Sequence, residues 1–222
     1  MRDRLLRDAV SIGVATGIYA VSFGVLSVAA GFSVAQTCVM SLATFTGASQ
    51  LTFVSVLGAG GSAAAALPPA LLLAGRNTIY ALSLKPVLRG GPLRRALDAH
   101  LVIDESTAMA HAQREPGAKR RAFLLTAFSI FVCWNAGTLL GALAGSGIGD
   151  PRDYGLDAIF PAIFLALLVA QLRSRDAVGA AVAGAAVAFV VLPVTPAGVP
   201  VMAAVLGCGP FLLLRRRRER AR

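Results

Sequence analysis

A single arginine interrupts the long uncharged stretch near the start of the chain. Residues 9–75 contain no Asp, Glu, Lys or Arg, and the first charge after them is Arg76. A helix rises 1.5 Å per residue, so Arg76 lies roughly 13 Å from Lys85, farther than an arginine side chain reaches comfortably. An ionisable side chain at membrane depth is costly and is a functional-site hypothesis by default. We therefore predict that Arg76 faces a polar cavity or has an internal partner.

The chemistry that suits Arg76 is carboxylate binding. A guanidinium pairs with a carboxylate through two parallel hydrogen bonds. Tyr80 shares a helix face with Arg76 by four-residue spacing, and Asn77 is the adjacent amide side chain. We predict that Arg76, Asn77 and Tyr80 contribute to a substrate site. An ion pair with an acid of the protein, or contact with lipid headgroups, is the structural alternative for Arg76.

A polar patch divides the second apolar run at residues 46–50 (TGASQ). Thr46, Ser49 and Gln50 offer hydroxyl and amide groups where a helix would break. The N-terminus of a half-helix presents free amide donors and the positive end of a dipole, which suits an anionic group. We predict that these three side chains bind substrate; hydrogen bonding between helices is the alternative.

Two adjacent acids, Asp104 and Glu105, lie in an otherwise apolar stretch. Asp104 falls on the same helical face as Leu97 and Leu101, so it is expected to turn toward the helix bundle. Such an acid could carry a coupling proton, gate the site or pair with Arg76. A solvated acid at the membrane interface is the alternative.

The composition places the chain among membrane proteins. It is 56% hydrophobic and 14% charged, whereas soluble domains average roughly 45–50% and about 25%. The net charge of +10 resides in short flanks of apolar runs, where it sets orientation and does not indicate nucleic-acid binding. Neither the three cysteines nor the two histidines have metal-ligand spacing. Phosphate-loop, zinc-protease and nucleophile-elbow motifs are absent, so no enzyme activity, cofactor or metal is expected.

The pattern predicts one all-α membrane domain over residues 1–222. The predicted apolar runs are 9–30, 36–57, 63–84, 122–143, 156–172, 177–192 and 201–214. Gly13, Gly17 and Gly24 predict that the first helix packs closely inside the bundle. The polar segment 85–121 is predicted to form an amphipathic interfacial helix that ends at Gly117, and 145–155 a loop.

Basic residues predict the orientation of these helices. They cluster at the N-terminus, in 85–121, at Arg173 with Arg175, and at the C-terminus, so these regions and both termini are expected in the cytoplasm. That arrangement requires an even number of crossings between residues 9 and 84. We therefore predict six transmembrane helices plus a re-entrant, broken segment at 36–57, embedded in the lipid bilayer. Seven full crossings is the alternative.

Three motifs together resemble the AzlC family. They are FTGASQ at 45–50, RNTIYALSLKP at 76–86 and DES at 104–106, in the same order and spacing. The family comprises the large subunits of branched-chain amino acid exporters. The resemblance implies export of hydrophobic amino acids such as valine, leucine or isoleucine across the bacterial inner (plasma) membrane. It also implies a small multi-span partner subunit of the AzlD type.

These observations favour a secondary transporter in which Arg76 binds the substrate carboxylate. Apolar walls would take the aliphatic side chain, and Asp104 would be the acid for coupling or gating. Two other classes stay open: a membrane subunit that scaffolds another protein without transporting, and a passive channel for small solutes.

Overall fold

The computed structural model describes residues 2–147, 162, 165, 168–169 and 172–220, and most of these residues are helical. The nine α-helices of these ranges are α1 (Arg2–Ala29), α2 (Val34–Thr44), α3 (Ala48–Gly58), α4 (Ala63–Ser83), α5 (Pro92–His100), α6 (Asp104–His111), α7 (Pro116–Gly147), α8 (Arg175–Val191) and α9 (Val199–Arg220). A 3-10 turn, Leu192–Val194, follows α8. Three described helices are long and apolar enough to cross a membrane: Asp3–Ala29, Pro116–Gly147 and Arg175–Val194. The all-helical class is thus confirmed for the described residues. The predicted span 156–172 and most of the predicted loop 145–155 lie outside them.

α1 and α7 run parallel and in close contact because glycines line their interface. Gly13 lies against Ser129, and Gly17 lies against Cys133 one turn further along both helices. A Cβ atom added at Gly17 would lie 2.8 Å from the Cys133 carbonyl oxygen, so no larger residue fits there. Small residues allow such backbone approach in lipid, where no hydrophobic effect drives helices together. The predicted packing of the first helix inside the bundle is confirmed.

The second apolar run is broken in its middle and doubles back. α2 ends at Thr44, and α3 begins after Gly47, whose φ of +64° favours glycine. At the far end of α3, a Cβ added at Gly58 would lie 3.7 Å from the Cβ of Ala30. Since α2 starts four residues after Ala30, the start of α2 and the end of α3 both lie near the C-terminal end of α1.

The side chain of Gln50 holds this break together. Its Oε1 accepts hydrogen bonds from the backbone N–H of Gly47 at 3.0 Å and of Thr46 at 3.4 Å. Its Nε2 donates to the Met40 carbonyl of α2 at 3.2 Å. Broken helices are tolerated at membrane depth only where such partners satisfy the freed backbone groups.

The single amphipathic helix predicted within 85–121 is wrong. The segment forms α5 and α6, and the turn between them, residues 101–103, is drawn into the core, with Val102 and Ile103 buried. The Ser106 hydroxyl accepts a hydrogen bond from the Ile103 N–H at 3.1 Å and lies 3.0 Å from the Leu101 carbonyl, which fixes the turn. Gly117 does not end a helix, because it lies in the first turn of α7.

α5 itself has the amphipathic character that was predicted for the longer helix. Its apolar side chains Leu93 and Leu97 are exposed, whereas Asp98 is buried. Asp98 forms an ion pair with Arg120 of α7 at 2.9 Å. The acid thus ties α5 to the bundle, and the leucines lie on the outside of the described chain.

Candidate functional site

A cavity of about 350 Å³ lies where two helix breaks, between α2 and α3 and at the turn between α5 and α6, meet α1, α4 and α7. It is lined by Thr16, Tyr19, Phe45, Thr46, Gly47, Ala48, Leu73, Arg76, Ile103, Asp104, Glu105, Ile130, Trp134 and Leu168. Most of these side chains are apolar, and the charged ones come from α4 and α6. A mostly apolar pocket with a few convergent polar groups is the usual form of a small-molecule site.

The two helix breaks meet beside this cavity. The His100 side chain at the end of α5 donates from Nε2 to the Leu42 carbonyl near the end of α2, at 2.9 Å. The Phe45 ring of the first break lies 6.1 Å from the His100 ring and 5.0 Å from the Phe131 ring of α7. Each break is therefore packed against the other and against the middle of α7.

Both half-helices that follow the breaks begin at the cavity. Gly47 and Ala48 at the start of α3, and Ile103 and Asp104 at the start of α6, belong to its lining. The first four N–H groups of a helix have no intrahelical acceptor, and the dipole is positive at that end. The start of α3 favours an anionic group in this cavity, because no acidic side chain lies in its first turn, whereas Asp104 and Glu105 already lie in the first turn of α6.

Arg76 of α4 forms an ion pair with Asp104 of α6. The Nη1 and Oδ2 atoms are 2.9 Å apart, and both side chains are a little over one third exposed. The guanidinium thus has the internal partner that the sequence allowed as an alternative, and it also lines a cavity. These two possibilities are compatible, because the pair is itself part of the cavity wall.

Three buried polar atoms of cavity residues have no hydrogen-bond partner in the described part of the chain. They are Asp104 Oδ1, Tyr19 Oη and Trp134 Nε1. Tyr19 and Trp134 lie side by side, with ring centroids 5.7 Å apart. A buried polar atom without a partner costs about 1–3 kcal/mol. A ligand or an ordered water in the cavity could supply the missing partner, although four atoms outside its lining, in Thr37, Thr107, Thr126 and Asn135, are unpartnered as well.

Glu105 is the second acid of the cavity and follows Asp104 at the start of α6. Burial raises the pKa of the Glu105 carboxyl above its ordinary value, and it outweighs a backbone hydrogen bond and the Arg76 charge, which act to lower this pKa. No ion pair involves Glu105 among the described residues, whereas Asp104 pairs with Arg76. Among the described residues, Glu105 is therefore the cavity acid whose negative charge no ion pair stabilises.

The predicted site residues fall into three groups: those that line the Arg76 cavity, those beside a neighbouring cavity, and those in neither lining. Thr46, Arg76, Asp104 and Glu105 line the cavity. Ser49 and Gln50 lie beside a neighbouring cavity of about 350 Å³ between α2, α3 and α4, where the Ser49 hydroxyl contacts that of Thr46.

Asn77 and Tyr80 belong to neither of these two cavity linings. The Tyr80 hydroxyl nevertheless interacts with the Asp104 carboxylate, through a hydrogen bond as well as through charge, and with the Arg76 charge. The Tyr80 ring packs against the cluster that contains Leu84 and Val87. The predicted substrate contacts of Asn77 and Tyr80 stay predictions.

Sequence reasoning missed Thr16, Tyr19 and Trp134 as cavity residues. Thr16 uses its hydroxyl within α1, where it donates to the Gly13 and Ile12 carbonyls. Tyr19 and Trp134 carried a usable signal, because each places an O–H or N–H donor in the middle of an apolar helix, where a partner is needed. What the sequence does not reveal is that the two helices bring these donors together.

Comparison with known proteins identifies the family. The family model described as AzlC protein matches residues 11–148, more than half of the chain. The chain belongs to the AzlC family. The match runs from the first turns of α1 to the end of α7, so it contains every lining residue of the Arg76 cavity except Leu168. The resemblance drawn from the three sequence motifs is confirmed.

Relatives of this AzlC-family chain are membrane proteins. It is 30% identical to the inner membrane protein YgaZ of Escherichia coli K12 over 189 residues, covering 81% of this chain and 77% of that protein. It is 34% identical to an uncharacterized membrane protein of Archaeoglobus fulgidus, covering 87% and 85%. A membrane protein of Helicobacter pylori is 30% identical, covering 68% and 67%. No solved structure matches the chain significantly.

Proposed function

We propose that this membrane protein is a secondary transporter that exports branched-chain or similar hydrophobic amino acids across the bacterial inner membrane. The observation that carries the proposal is the Arg76–Asp104 ion pair, which lines a largely apolar cavity beside the starts of α3 and α6. Charged groups of both signs inside an apolar wall match a small molecule with a charged end and an aliphatic side chain. Membership of a family of amino acid exporter components supports the same assignment.

Substrate recognition divides the cavity into a charged part and an apolar part. Arg76 binds the substrate carboxylate, and the start of α3 adds the positive end of a helix dipole. Phe45, Ile103 and Ile130 provide apolar wall for the aliphatic side chain. Each buried methylene contributes about 0.8 kcal/mol, so discrimination among valine, leucine and isoleucine is expected to be modest.

The proposed topology has six crossings and one re-entrant segment, α2–α3. Because α1 and α7 are parallel, the N-terminal basic flank and the basic residues before α7 lie at the same end of the bundle, which we assign to the cytoplasm. The approach of Gly58 to Ala30 supports a segment that enters and leaves at the other end. Both termini are then cytoplasmic, and the cavity lies at the depth of the breaks.

Coupling and assembly complete the proposal. Asp104 and Glu105 are the acids available for proton coupling or gating, and a small multi-span partner of the AzlD type assembles with the chain in the membrane. Alternating access then requires the helix breaks to move while the cavity residues hold the substrate.

Amino acid efflux from bacterial cells tests the function. Cells loaded with leucine are compared with and without this chain, each with and without its small partner, before and after the proton gradient is collapsed. We expect export only when both subunits are present, with dependence on the proton gradient. Flux that follows only the leucine gradient would instead indicate a passive channel. If cells without this chain keep the same efflux but lose another membrane protein, the chain is a scaffold.

A further inference from the structure

The Asp104 carboxylate has spare capacity to accept a hydrogen bond. Oδ2 contacts Arg76, and the Tyr80 hydroxyl also interacts with this carboxylate, whereas Oδ1 is buried and meets no hydrogen-bond partner with good geometry among the described residues. A carboxylate can accept several hydrogen bonds, and a buried carboxylate oxygen that accepts none is unfavourable. The ion pair with Arg76 alone does not explain this geometry. A cationic donor in the cavity would.

An α-amino acid carries such a donor next to its carboxylate. Its ammonium group offers three N–H donors, and its carboxylate offers the acceptors that a guanidinium binds. Because only short bonds separate the two groups, their protein ligands must lie close together. Arg76 and Asp104 meet that requirement, with charged atoms 2.9 Å apart and both side chains on the cavity wall.

We propose that Asp104 binds the ammonium group of the substrate while Arg76 binds its carboxylate, so that the site selects zwitterionic amino acids. This inference rests on the proposed function and specifies its substrate class. A zwitterion replaces the Arg76–Asp104 ion pair with two new ones, so that both Arg76 and Asp104 keep a partner of opposite charge. A carboxylic acid without an ammonium group places a second negative charge beside Asp104. An amine without a carboxylate places a second positive charge beside Arg76. Glu105 then remains as the cavity acid for coupling.

Trp134 provides an intrinsic probe of this cavity. It is the only tryptophan of the chain, it lines the cavity, and it is 4% exposed. Its fluorescence can therefore be followed while the purified full-length protein, in lipid nanodiscs, is titrated with ligand. Three ligands separate the two charges: leucine, 4-methylpentanoate, which lacks the ammonium group, and 3-methylbutylamine, which lacks the carboxylate. Radiolabelled leucine binding gives the affinity independently of fluorescence.

For the wild-type protein we expect leucine to bind at least about ten-fold more tightly than either analogue, the change that one charged hydrogen bond contributes. Asp104→Asn should lower leucine affinity by about the same factor and remove the preference for leucine over 4-methylpentanoate. Asp104→Glu keeps the negative charge and should retain that preference. Asp98→Asn, which breaks an interhelical ion pair outside the cavity, should leave ligand preference unchanged.

The possible failures are distinguishable. If the wild-type protein binds leucine but Asp104→Asn binds it as tightly and as selectively, the ammonium assignment is wrong and the proposed function stands. If the wild-type protein binds no amino acid, by fluorescence or by radiolabel, the proposed function and this assignment both fail. If Asp104→Asn does not fold, Asp104→Glu decides: loss of the preference for leucine over 4-methylpentanoate in this folded variant overturns the assignment.

Discussion

The break between α2 and α3 depends on Gln50, and its replacement by leucine should destabilise the protein strongly. Gln50→Leu keeps a side chain of similar size but removes the acceptor for the Gly47 and Thr46 N–H groups and the donor to the Met40 carbonyl. Gln50 is 2% exposed, so water cannot replace these bonds readily. Each buried group that is left without a partner costs about 1–3 kcal/mol. The weaker bond at 3.4 Å contributes least, so we expect a loss of about 2–4 kcal/mol.

Gln36→Leu is the matched control for this experiment. Gln36 also accepts a hydrogen bond from a helix-capping backbone N–H, that of Ser33 at 2.8 Å, but it is exposed at the start of α2. Water can replace that bond, so the expected cost is below about 1 kcal/mol. Thermal unfolding of both purified variants in the same detergent, followed by Trp134 fluorescence, measures the difference. Equal unfolding temperatures for the two variants would refute the view that Gln50 holds the break. Weakened leucine binding without lost stability would instead favour the substrate contact predicted for Gln50.

Three further predictions concern packing, protonation and topology. Gly17→Ala should impair folding and yield, because its Cβ would lie 2.8 Å from a carbonyl oxygen of α7, whereas Gly75→Ala, with open space in the described structure, should not; size-exclusion profiles of the two variants check this. Burial raises the Glu105 pKa, so Trp134 fluorescence should titrate at a pH above the ordinary carboxyl range in the wild-type protein and lose that transition in Glu105→Gln; an unchanged titration would exclude Glu105. The topology is tested in a variant whose three native cysteines are replaced by serine. In this background, Ala35→Cys and Ala59→Cys should both react with an impermeant maleimide added outside the cell. Labelling of only one of them would indicate that the segment between them crosses the membrane fully.

The sequence predicted those features that depend on local composition. The absence of charge from residues 9–75 placed Arg76 at membrane depth, and the structure has Arg76 on a cavity wall. The glycines of α1 predicted close helix packing, because small residues favour it directly. The TGASQ patch predicted a break, since its polar groups and glycine are unfavourable inside an apolar helix.

The sequence did not predict features that depend on distant contacts. Helical spacing continues from Leu97 through Leu101 to Asp104, so nothing local separates α5 from α6. The turn exists because Val102 and Ile103 bury against helices that are remote in sequence. The pairing of Tyr19 with Trp134 likewise depends on the register of α1 against α7, and the spacing within one helix does not encode it.

The proposed role of Arg76 is to bind the carboxylate of an exported amino acid inside the membrane. The most direct measurement is leucine efflux from cells that carry the chain and the proposed small partner, with Arg76→Ala compared with Arg89→Ala. Arg89 is a suitable control, because it is exposed, lies outside the Arg76 cavity and donates to the nearby Pro86 carbonyl. We predict that Arg76→Ala abolishes export while both subunits still assemble in the membrane, and that Arg89→Ala exports normally. Undiminished leucine export by Arg76→Ala would contradict this role of Arg76.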